Sequence, residues 1–180
     1  MVDSKGGGSV KQRVLILVDE AFEDLELWYP AYRLMAAGAD VKFAGHERGY
    51  TYTGKYGVPV KSDLSFKEAL QEDWHMLLVP GGWAPDKLRR DLDVLTIVRR
   101  MDELKKPIGM ICHAGWVLIS AKILKGRKVT STPGIRDDIE NAGATWLDVP
   151  VVVDGNIISA RRPPDLPAYG EALVQALQSV

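Results

Sequence analysis

Apolar, strand-like runs alternate with helix-like segments along most of this chain. The strand-like runs lie at 13–18, 39–45, 75–82, 107–111 and 128–132. The runs at 13–18, 75–82 and 107–111 are almost continuously apolar, which predicts strands buried on both faces, as in a parallel sheet. Apolar residues at helical spacing predict helices at 22–38, 65–72, 91–106, 115–126, 135–143 and 163–178.

The segment 22–38 predicts the first helix. Its predicted apolar face consists of Leu25, Trp28, Tyr32, Met35 and Ala36. Gly38 is suited to end this helix, and Pro30 predicts either a kink or a later helix start.

Two segments indicate antiparallel pairing. Residues 46–63 are rich in Gly, Tyr and Lys and predict a loop with short strands, as a small antiparallel excursion. Residues 146–161 contain Asp154–Gly155 between two alternating runs, which is a strong hairpin signal.

The order of these elements predicts an α/β fold. We expect a flavodoxin-like, doubly wound, mainly parallel sheet between helices, with a β-hairpin near the C-terminus. The 180 residues fit a single domain, predicted over 13–180, and the Gly/Ser-rich residues 1–12 predict a flexible tail.

Composition excludes several classes of partner. The chain has 23 basic and 24 acidic side chains and no basic stripe, which argues against nucleic acid binding. No apolar run approaches a membrane span, and the N-terminus lacks the apolar segment of a secretory signal. The chain's one cysteine cannot form an internal disulfide. Together these features predict a cytoplasmic protein.

Chemically reactive residues follow three predicted strands. Acidic residues from Asp19 to Glu26 follow the first, Gly81 and Gly82 follow the third, and Cys112 follows the fourth. Sites in open α/β sheets form at the carboxyl ends of parallel strands, so these residues are predicted to converge.

Cys112 is either a packed thiol or a nucleophile. Cysteine is among the most buried residue types, which favours the first reading in an average protein. Here the order strand, Cys112–His113, helix resembles a nucleophile elbow, although the glycine spacing is only half met. A helix N-terminus would lower the pKa of the thiol, and we therefore expect a reactive cysteine.

Other residues can support such a nucleophile. His113 could orient or deprotonate the thiol, and Glu26, among apolar neighbours, could be buried with a raised pKa. The backbone N–H groups of Gly82 and His113 could form an oxyanion hole. Interaction with the helix N-terminus explains Glu23 and Asp24 adequately. No cluster has the spacing of a metal site, so we expect no metal.

Several stretches resemble the PfpI family of intracellular proteases, within the class I glutamine-amidotransferase-like superfamily. They cover nearly all of 14–169 in the family's order. The matching stretches are "FEDLELWYP", "ERGYTYTGKYGVPVKSDLSF", "LLVPGGWAPD", "KPIGMICHAGWVLISAKILKGRKVTSTPGIRDDIENAGATW" and "VVVDGNIISARRPPDLPAY".

The resemblance implies specific roles. Cys112 matches the nucleophile, His113 its neighbouring histidine, Glu26 the glutamate that contacts the thiol, and Gly82 with His113 the oxyanion donors. Asp86 matches a triad acid that is donated across a subunit interface, where familiar members carry the longer glutamate.

Two further residues are predicted to border the substrate. They are Glu23 and Trp116. Residues 114–116, Ala-Gly-Trp, stand where the family usually has Gly-Pro after the Cys-His pair. The resemblance also implies a dimer or higher homo-oligomer with the active site near a subunit interface.

Three functions remain open at this stage. A glyoxalase or deglycase would use Cys112 against an aldehyde carbonyl, with no cofactor. A peptidase would need His113 to protonate the leaving amine, oriented by Asp86. A non-enzymatic oxidative-stress sensor or chaperone would use an oxidisable Cys112. We favour a cysteine-dependent hydrolase in stress defence that acts on small aldehydes or peptides.

Overall fold

The computed structural model describes residues 10–180. Most of the predicted flexible tail, residues 1–9, lies outside the described residues. At its end, the side chain of Gln12 donates hydrogen bonds to the carbonyl oxygens of Leu177 and Val180, at 2.6 and 2.8 Å. Gln12 is therefore tied to the C-terminus and does not belong to a free tail.

Eleven strands lie within residues 10–180. They are β1 Arg13–Leu17, β2 Asp40–Gly45, β3 Thr51–Thr53, β4 Pro59–Lys61, β5 Leu64–Ser65, β6 Met76–Val79, β7 Ile108–Ile111, β8 Lys128–Val129, β9 Thr145–Trp146, β10 Val151–Asp154 and β11 Ile157–Ala160. Seven of them form one sheet in the order β10-β11-β7-β6-β1-β2-β5, and all neighbours in it are parallel except β10 and β11. The predicted doubly wound α/β fold is confirmed.

Seven α-helices lie within the same described residues. They are α1 Asp24–Ala36, α2 Phe66–Ala69, α3 Ala84–Leu88, α4 Leu92–Glu103, α5 Gly115–Ser120, α6 Arg136–Asn141 and α7 Leu166–Gln178. The chain moves from β1 to β2 in one direction and from β6 to β7 in the other, so right-handed crossovers place helices on both faces of the sheet. The reversal between β1 and β6 opens a crevice at their carboxyl ends.

The first helix presents a different face to the core from the predicted one. Its buried apolar residues are Leu27, Pro30, Ala31 and Leu34. Of the five residues of the predicted face, only Trp28 packs against the core and the other four are exposed, so that prediction was wrong for all but Trp28. The helix begins at Asp24 and continues through Pro30, which excludes the later start. This rotation is what buries Glu26.

Smaller elements follow the prediction with shifts. The antiparallel pair β3–β4 is confirmed, and the predicted helix at 65–72 forms as α2, which begins with a capping box between Ser65 and Glu68. The predicted hairpin forms, but Asp154 pairs with Ile157, so its turn is Gly155–Asn156, one residue later than predicted. β8 is shorter than predicted and pairs with β9 outside the main sheet.

Candidate active site

Cys112 sits on a sharp turn at the carboxyl end of β7. Its φ is +62°, a left-handed conformation that costs a residue other than glycine about 1–3 kcal/mol. A single 3₁₀ turn over Cys112–Ala114 then leads into α5. The predicted strand–turn–helix elbow is therefore present, with Cys112 at its turn.

The turn after β6 supplies the two neighbouring glycines. A Cβ atom on Gly81 would lie 2.3 Å from Glu26 Oε2 and 2.6 Å from Cys112 Cβ, so only glycine fits there. Gly82 has φ +77° and bridges to Phe22 ahead of α1. The backbone N–H groups of Gly82 and His113 lower the pKa of the Cys112 thiol, which indicates two donors beside the sulfur that could also serve as an oxyanion hole.

Glu26 reaches this turn from the first turn of α1. The residue is only 2% exposed, and its Oε2 accepts a hydrogen bond from the Gly81 N–H at 3.0 Å. Its Oε1 is buried and has no hydrogen-bond partner in the described part of the chain. Burial, with the nearby charge of Glu23, raises the pKa of Glu26 from 4.5 to about 8. The carboxyl is therefore largely protonated at neutral pH.

Glu23 and Asp24 organise the backbone around Glu26. Glu23 is the N-cap of α1, and its Oε2 accepts a hydrogen bond from the Glu26 N–H at 2.8 Å. The Asp24 carboxylate accepts from the N–H groups of Tyr56 and Val58, at 2.9 and 2.8 Å. Asp24 thus anchors the β3–β4 loop beside the site, a role that the sequence did not reveal.

The thiol pKa differs from the sequence-based expectation. Burial, followed by the negative charge of Glu26, raises the pKa of Cys112 to about 12. The hydrogen bonds from Gly82 and His113 act in the opposite direction but are outweighed. The expected lowering of the thiol pKa was therefore wrong, because the residue is 8% exposed and lies against a carboxyl group. The part of the rise due to Glu26 disappears when Glu26 holds its proton.

His113 faces the thiol directly. Its Nδ1 lies 3.2 Å from Cys112 Sγ, and its ring lies beside the rings of Trp83 and Trp116. Burial, and secondarily the charge of Lys55, lowers the pKa of His113. The imidazole is therefore neutral at physiological pH and can accept the thiol proton.

Asp86 does not meet His113 within the chain. It lies on α3 with an exposed side chain, and its Oδ2 accepts a hydrogen bond from Arg90 at 3.1 Å. Among the described residues, the histidine that pairs with carboxylates is His46, which contacts Asp19 and Asp91. The predicted role of Asp86 requires a second copy of the chain, so it stays a prediction.

Lys55 is a charged neighbour that the sequence did not identify. Its charge lowers the pKa values of Glu26, Cys112 and His113. Lys55 lies in the loop held by Asp24, and its own N–H donates to the Phe22 carbonyl oxygen at 2.9 Å. The sequence predicted a loop with short strands over residues 46–63. Only the hydrogen bonds to Asp24 and Phe22 show that this loop packs beside the site.

Neither a membrane-spanning segment nor a metal cluster emerges from residues 10–180. In that range, the helices are too short or too polar to cross a bilayer. No group of three or more histidine, cysteine or acidic residues in the same range has the geometry to hold a metal ion. His75, outside the site, accepts a hydrogen bond from the Arg13 N–H at Nδ1.

Together these groups form one reactive centre from the ends of β1, β6 and β7. It contains a thiol, a neutral imidazole at 3.2 Å, a buried protonated carboxyl and two N–H donors. Such a centre can attack a carbonyl carbon, hold the resulting oxyanion and move protons between neighbouring atoms.

Known proteins of the same size align with nearly the whole chain. A deglycase of Pyrococcus horikoshii is 47% identical over 92% of this chain and 99% of its own length. Deglycase PfpI of Pyrococcus furiosus is 46% identical over the same shares. YraA of Bacillus subtilis, named as a candidate cysteine protease, is 37% identical over 94% of this chain and all of that protein.

Solved structures share the fold. A two-domain protein of Anabaena variabilis with a DJ-1/ThiJ/PfpI-like and a ferritin-like domain has a TM-score of 0.91 and 36% identity; the match covers 93% of this chain and 48% of that one. Drosophila melanogaster DJ-1beta has a TM-score of 0.87 at 22% identity, over 94% and 95% of the two chains. The DJ-1/PfpI family model matches residues 12–176. With its fold, its site and these relatives in agreement, the chain belongs to the DJ-1/PfpI family.

Proposed function

We propose that this protein is a cysteine-dependent hydrolase of reactive carbonyl compounds, with Cys112 as its nucleophile. The observation that carries the proposal is the position of Glu26. Its buried carboxyl, with a pKa of about 8, lies beside the thiol and can exchange protons near neutral pH. The deglycase names of the relatives support the same class of chemistry.

The steps can be written for methylglyoxal, a small α-oxoaldehyde. His113 Nδ1 takes the thiol proton as the sulfur bonds to the aldehyde carbon, and the N–H groups of Gly82 and His113 hold the new oxyanion. Protonated Glu26 gives its proton to that oxygen, which forms a hemithioacetal and leaves Glu26 ionised. Ionised Glu26 then takes the proton from the former aldehyde carbon and delivers it to the neighbouring ketone carbon. The hydroxyl proton passes to the ketone oxygen in the same rearrangement, which gives a thioester of lactate.

Water completes the reaction. It attacks the thioester carbon, the carbon–sulfur bond breaks, and the thiol regains its proton as lactate leaves. One carbon has been oxidised and its neighbour reduced, so methylglyoxal and water become lactate without an external oxidant. A deglycase reaction would use the same attack on the adduct carbon, with an amine as the leaving group.

A peptidase is the second candidate, favoured by the thiol–imidazole contact and the name of the Bacillus relative. Peptide cleavage requires His113 to protonate a leaving amine, and such histidines are oriented by an acid. Within one chain Asp86 bonds to Arg90 instead, so this activity depends on a homo-oligomer that donates Asp86 from its neighbour. That oligomer, a role in stress defence and a cytoplasmic location stay predictions.

The non-enzymatic sensor is the third candidate. Oxidation requires the free thiolate, and the raised pKa of Cys112 disfavours that form, whereas in the enzymes the thiol can pass its proton to His113 as it attacks a bound carbonyl. We therefore rank a dedicated oxidant sensor below the two enzymes.

One side-by-side assay separates the candidates. The purified protein is given methylglyoxal, with lactate measured enzymatically, and in parallel a fluorogenic peptide. We expect lactate formation that Cys112→Ser abolishes. Peptide cleavage without lactate, again lost in Cys112→Ser, would favour the peptidase. Equal activity in wild type and Cys112→Ser would remove Cys112 from the mechanism.

A further inference from the structure

Two tryptophans from different elements enclose the imidazole of His113. The ring centroid of Trp83, which precedes α3, lies 5.2 Å from that of His113, and the Trp116 centroid on α5 lies 4.9 Å from it. Their planes are tilted by 41° and 55° from the imidazole plane. With the ring in this position, His113 Nδ1 lies 3.2 Å from the Cys112 sulfur.

Trp116 and Trp83 are themselves held in place. The Trp116 Nε1–H donates to Asp138 Oδ2 at 2.9 Å, and the Arg89 guanidinium lies 5.5 Å from the Trp116 ring centroid. Arg89 is in turn fixed by a 2.9 Å hydrogen bond from Nε to Ser120. The backbone N–H of Trp83 donates to the Ala21 carbonyl oxygen at 2.9 Å, which fixes the main chain of a residue that is 55% exposed.

Trp83 and Trp116 form an aromatic clamp around the His113 ring. This clamp and a carboxylate partner would shift the pKa of His113 in opposite directions. An adjacent carboxylate favours the imidazolium and raises the pKa of histidine, whereas burial against apolar rings lowers it. In this structure the pKa of His113 is lowered, first by burial and then by Lys55. No carboxylate among residues 10–180 pairs with His113.

We propose that Trp83 and Trp116 are positioning residues that hold the His113 ring against the Cys112 sulfur within one chain. They perform the orienting task that an acid performs in Cys–His–acid sites. The inference rests on the proposed function in giving His113 a catalytic task, but the clamp itself can be measured without turnover. The proposal also assigns Trp116 a role in positioning His113, which differs from the predicted role at the border of the substrate.

The test is a titration of the histidine ring protons by NMR. The chain has three histidines, and His113→Asn identifies the resonance of His113. We expect a wild-type pKa below the usual value of about 6.5. Trp83→Ala and Trp116→Ala should each raise it toward that value, because water then reaches the ring. Trp83→Phe and Trp116→Phe should stay close to wild type, and His46 and His75 should titrate unchanged throughout.

Asp86→Asn distinguishes the clamp from an acid supplied by a neighbouring copy. We expect it to leave the His113 pKa unchanged. The proposal is overturned if Asp86→Asn lowers that pKa, or if both alanine variants leave it unmoved while remaining folded by circular dichroism. If an alanine variant does not fold, Asp138→Ala, which frees the Trp116 Nε1–H, should raise the His113 pKa instead, and an unmoved value there overturns the proposal.

The kinetic readout should follow the titration. The alanine variants should lower kcat for methylglyoxal by about ten-fold or more with a smaller change in KM, because the base is misplaced while the oxyanion donors remain. Rescue by the phenylalanine variants supports an aromatic clamp. A Cys112→Ser variant that keeps full activity would refute the proposed function but would leave the titration result standing.

Discussion

The Cys112 sulfur lies 3.2 Å from Nδ1 of the very next residue, His113. Side chains of adjacent residues usually diverge, so sequence adjacency alone did not predict this contact. The left-handed φ of +62° at Cys112 and the following 3₁₀ turn bring the two groups together. The local backbone therefore brings the thiol and the imidazole together, and the charge of Glu26 raises the pKa of the thiol.

Replacing Glu26 should make the thiol more acidic. The charge of Glu26 is the second-largest cause that raises the pKa of Cys112, and Glu26→Gln removes that charge with little change of volume. We expect the thiol pKa to fall by about one unit or more. The pH dependence of iodoacetamide alkylation, read by intact mass, measures it. An unchanged or higher thiol pKa contradicts this account; Glu103→Gln, on the exposed face of α4, is the control.

The same substitution should stabilise the fold at high pH. The pKa of Glu26 rises from 4.5 to about 8, so between these values the folded protein holds a proton that the unfolded chain has lost. Wild-type unfolding free energy therefore falls as pH rises through this window, and Glu26→Gln escapes that fall. We expect the variant's advantage in urea unfolding to be about 2–4 kcal/mol larger near pH 9 than near pH 5. An advantage that does not vary with pH would argue against a buried, protonated Glu26.

Gly81 should tolerate no side chain. An added Cβ would lie 2.3 Å from Glu26 Oε2 and 2.6 Å from Cys112 Cβ, so Gly81→Ala forces these two side chains apart. We expect a loss of about 1–3 kcal/mol in stability and about ten-fold or more in kcat/KM. Gly134→Ala is the matched control, since nothing lies within 4 Å of its added Cβ. Equal activities of the two variants would show that the site does not depend on this close approach.

The charge of Lys55 should make both the Glu26 carboxyl and the Cys112 thiol more acidic. Its charge lowers the pKa values of both Glu26 and Cys112, so Lys55→Met should raise both. We expect alkylation of Cys112 near pH 8 to slow by about two- to five-fold at low salt, with a smaller difference at high salt. Lys61→Met, exposed on β4, should alkylate like wild type. A difference that persists unchanged in high salt would point to a structural effect of Lys55.

Much of the fold and the centre of the site could be predicted from the sequence. Continuous apolar runs identified the buried parallel strands, and the rule for strand ends then placed Glu26, Gly82 and Cys112 together. The direction of the thiol pKa could not be predicted in this way. It depends on how deeply Cys112 is buried and how close Glu26 lies, both of which are properties of the packed structure.

The first helix shows why its buried face was mistaken. The predicted face, which includes Leu25, Trp28 and Tyr32, follows helical spacing. The buried set of Leu27, Ala31 and Leu34 does so as well. The predicted face is richer in large apolar side chains. The fold buries the second set and with it the carboxyl of Glu26. Choosing the face with more large apolar side chains selects the wrong one here, because the fold buries the smaller apolar set together with an acid. Lys55 escaped notice because its place depends on hydrogen bonds to Asp24 and Phe22, more than thirty residues away.

Trapping the covalent intermediate tests the central claim, that Cys112 forms a bond to the substrate carbonyl carbon, most directly. The protein is mixed with methylglyoxal, quenched within the first turnovers and digested, and the peptide that contains Cys112 is weighed; hydroxylamine is added to a second sample. We expect that peptide to gain the mass of one methylglyoxal and hydroxylamine to release the hydroxamate of lactate, which identifies a thioester. Lactate formation at full rate with an unmodified Cys112 peptide and no hydroxamate would contradict the account.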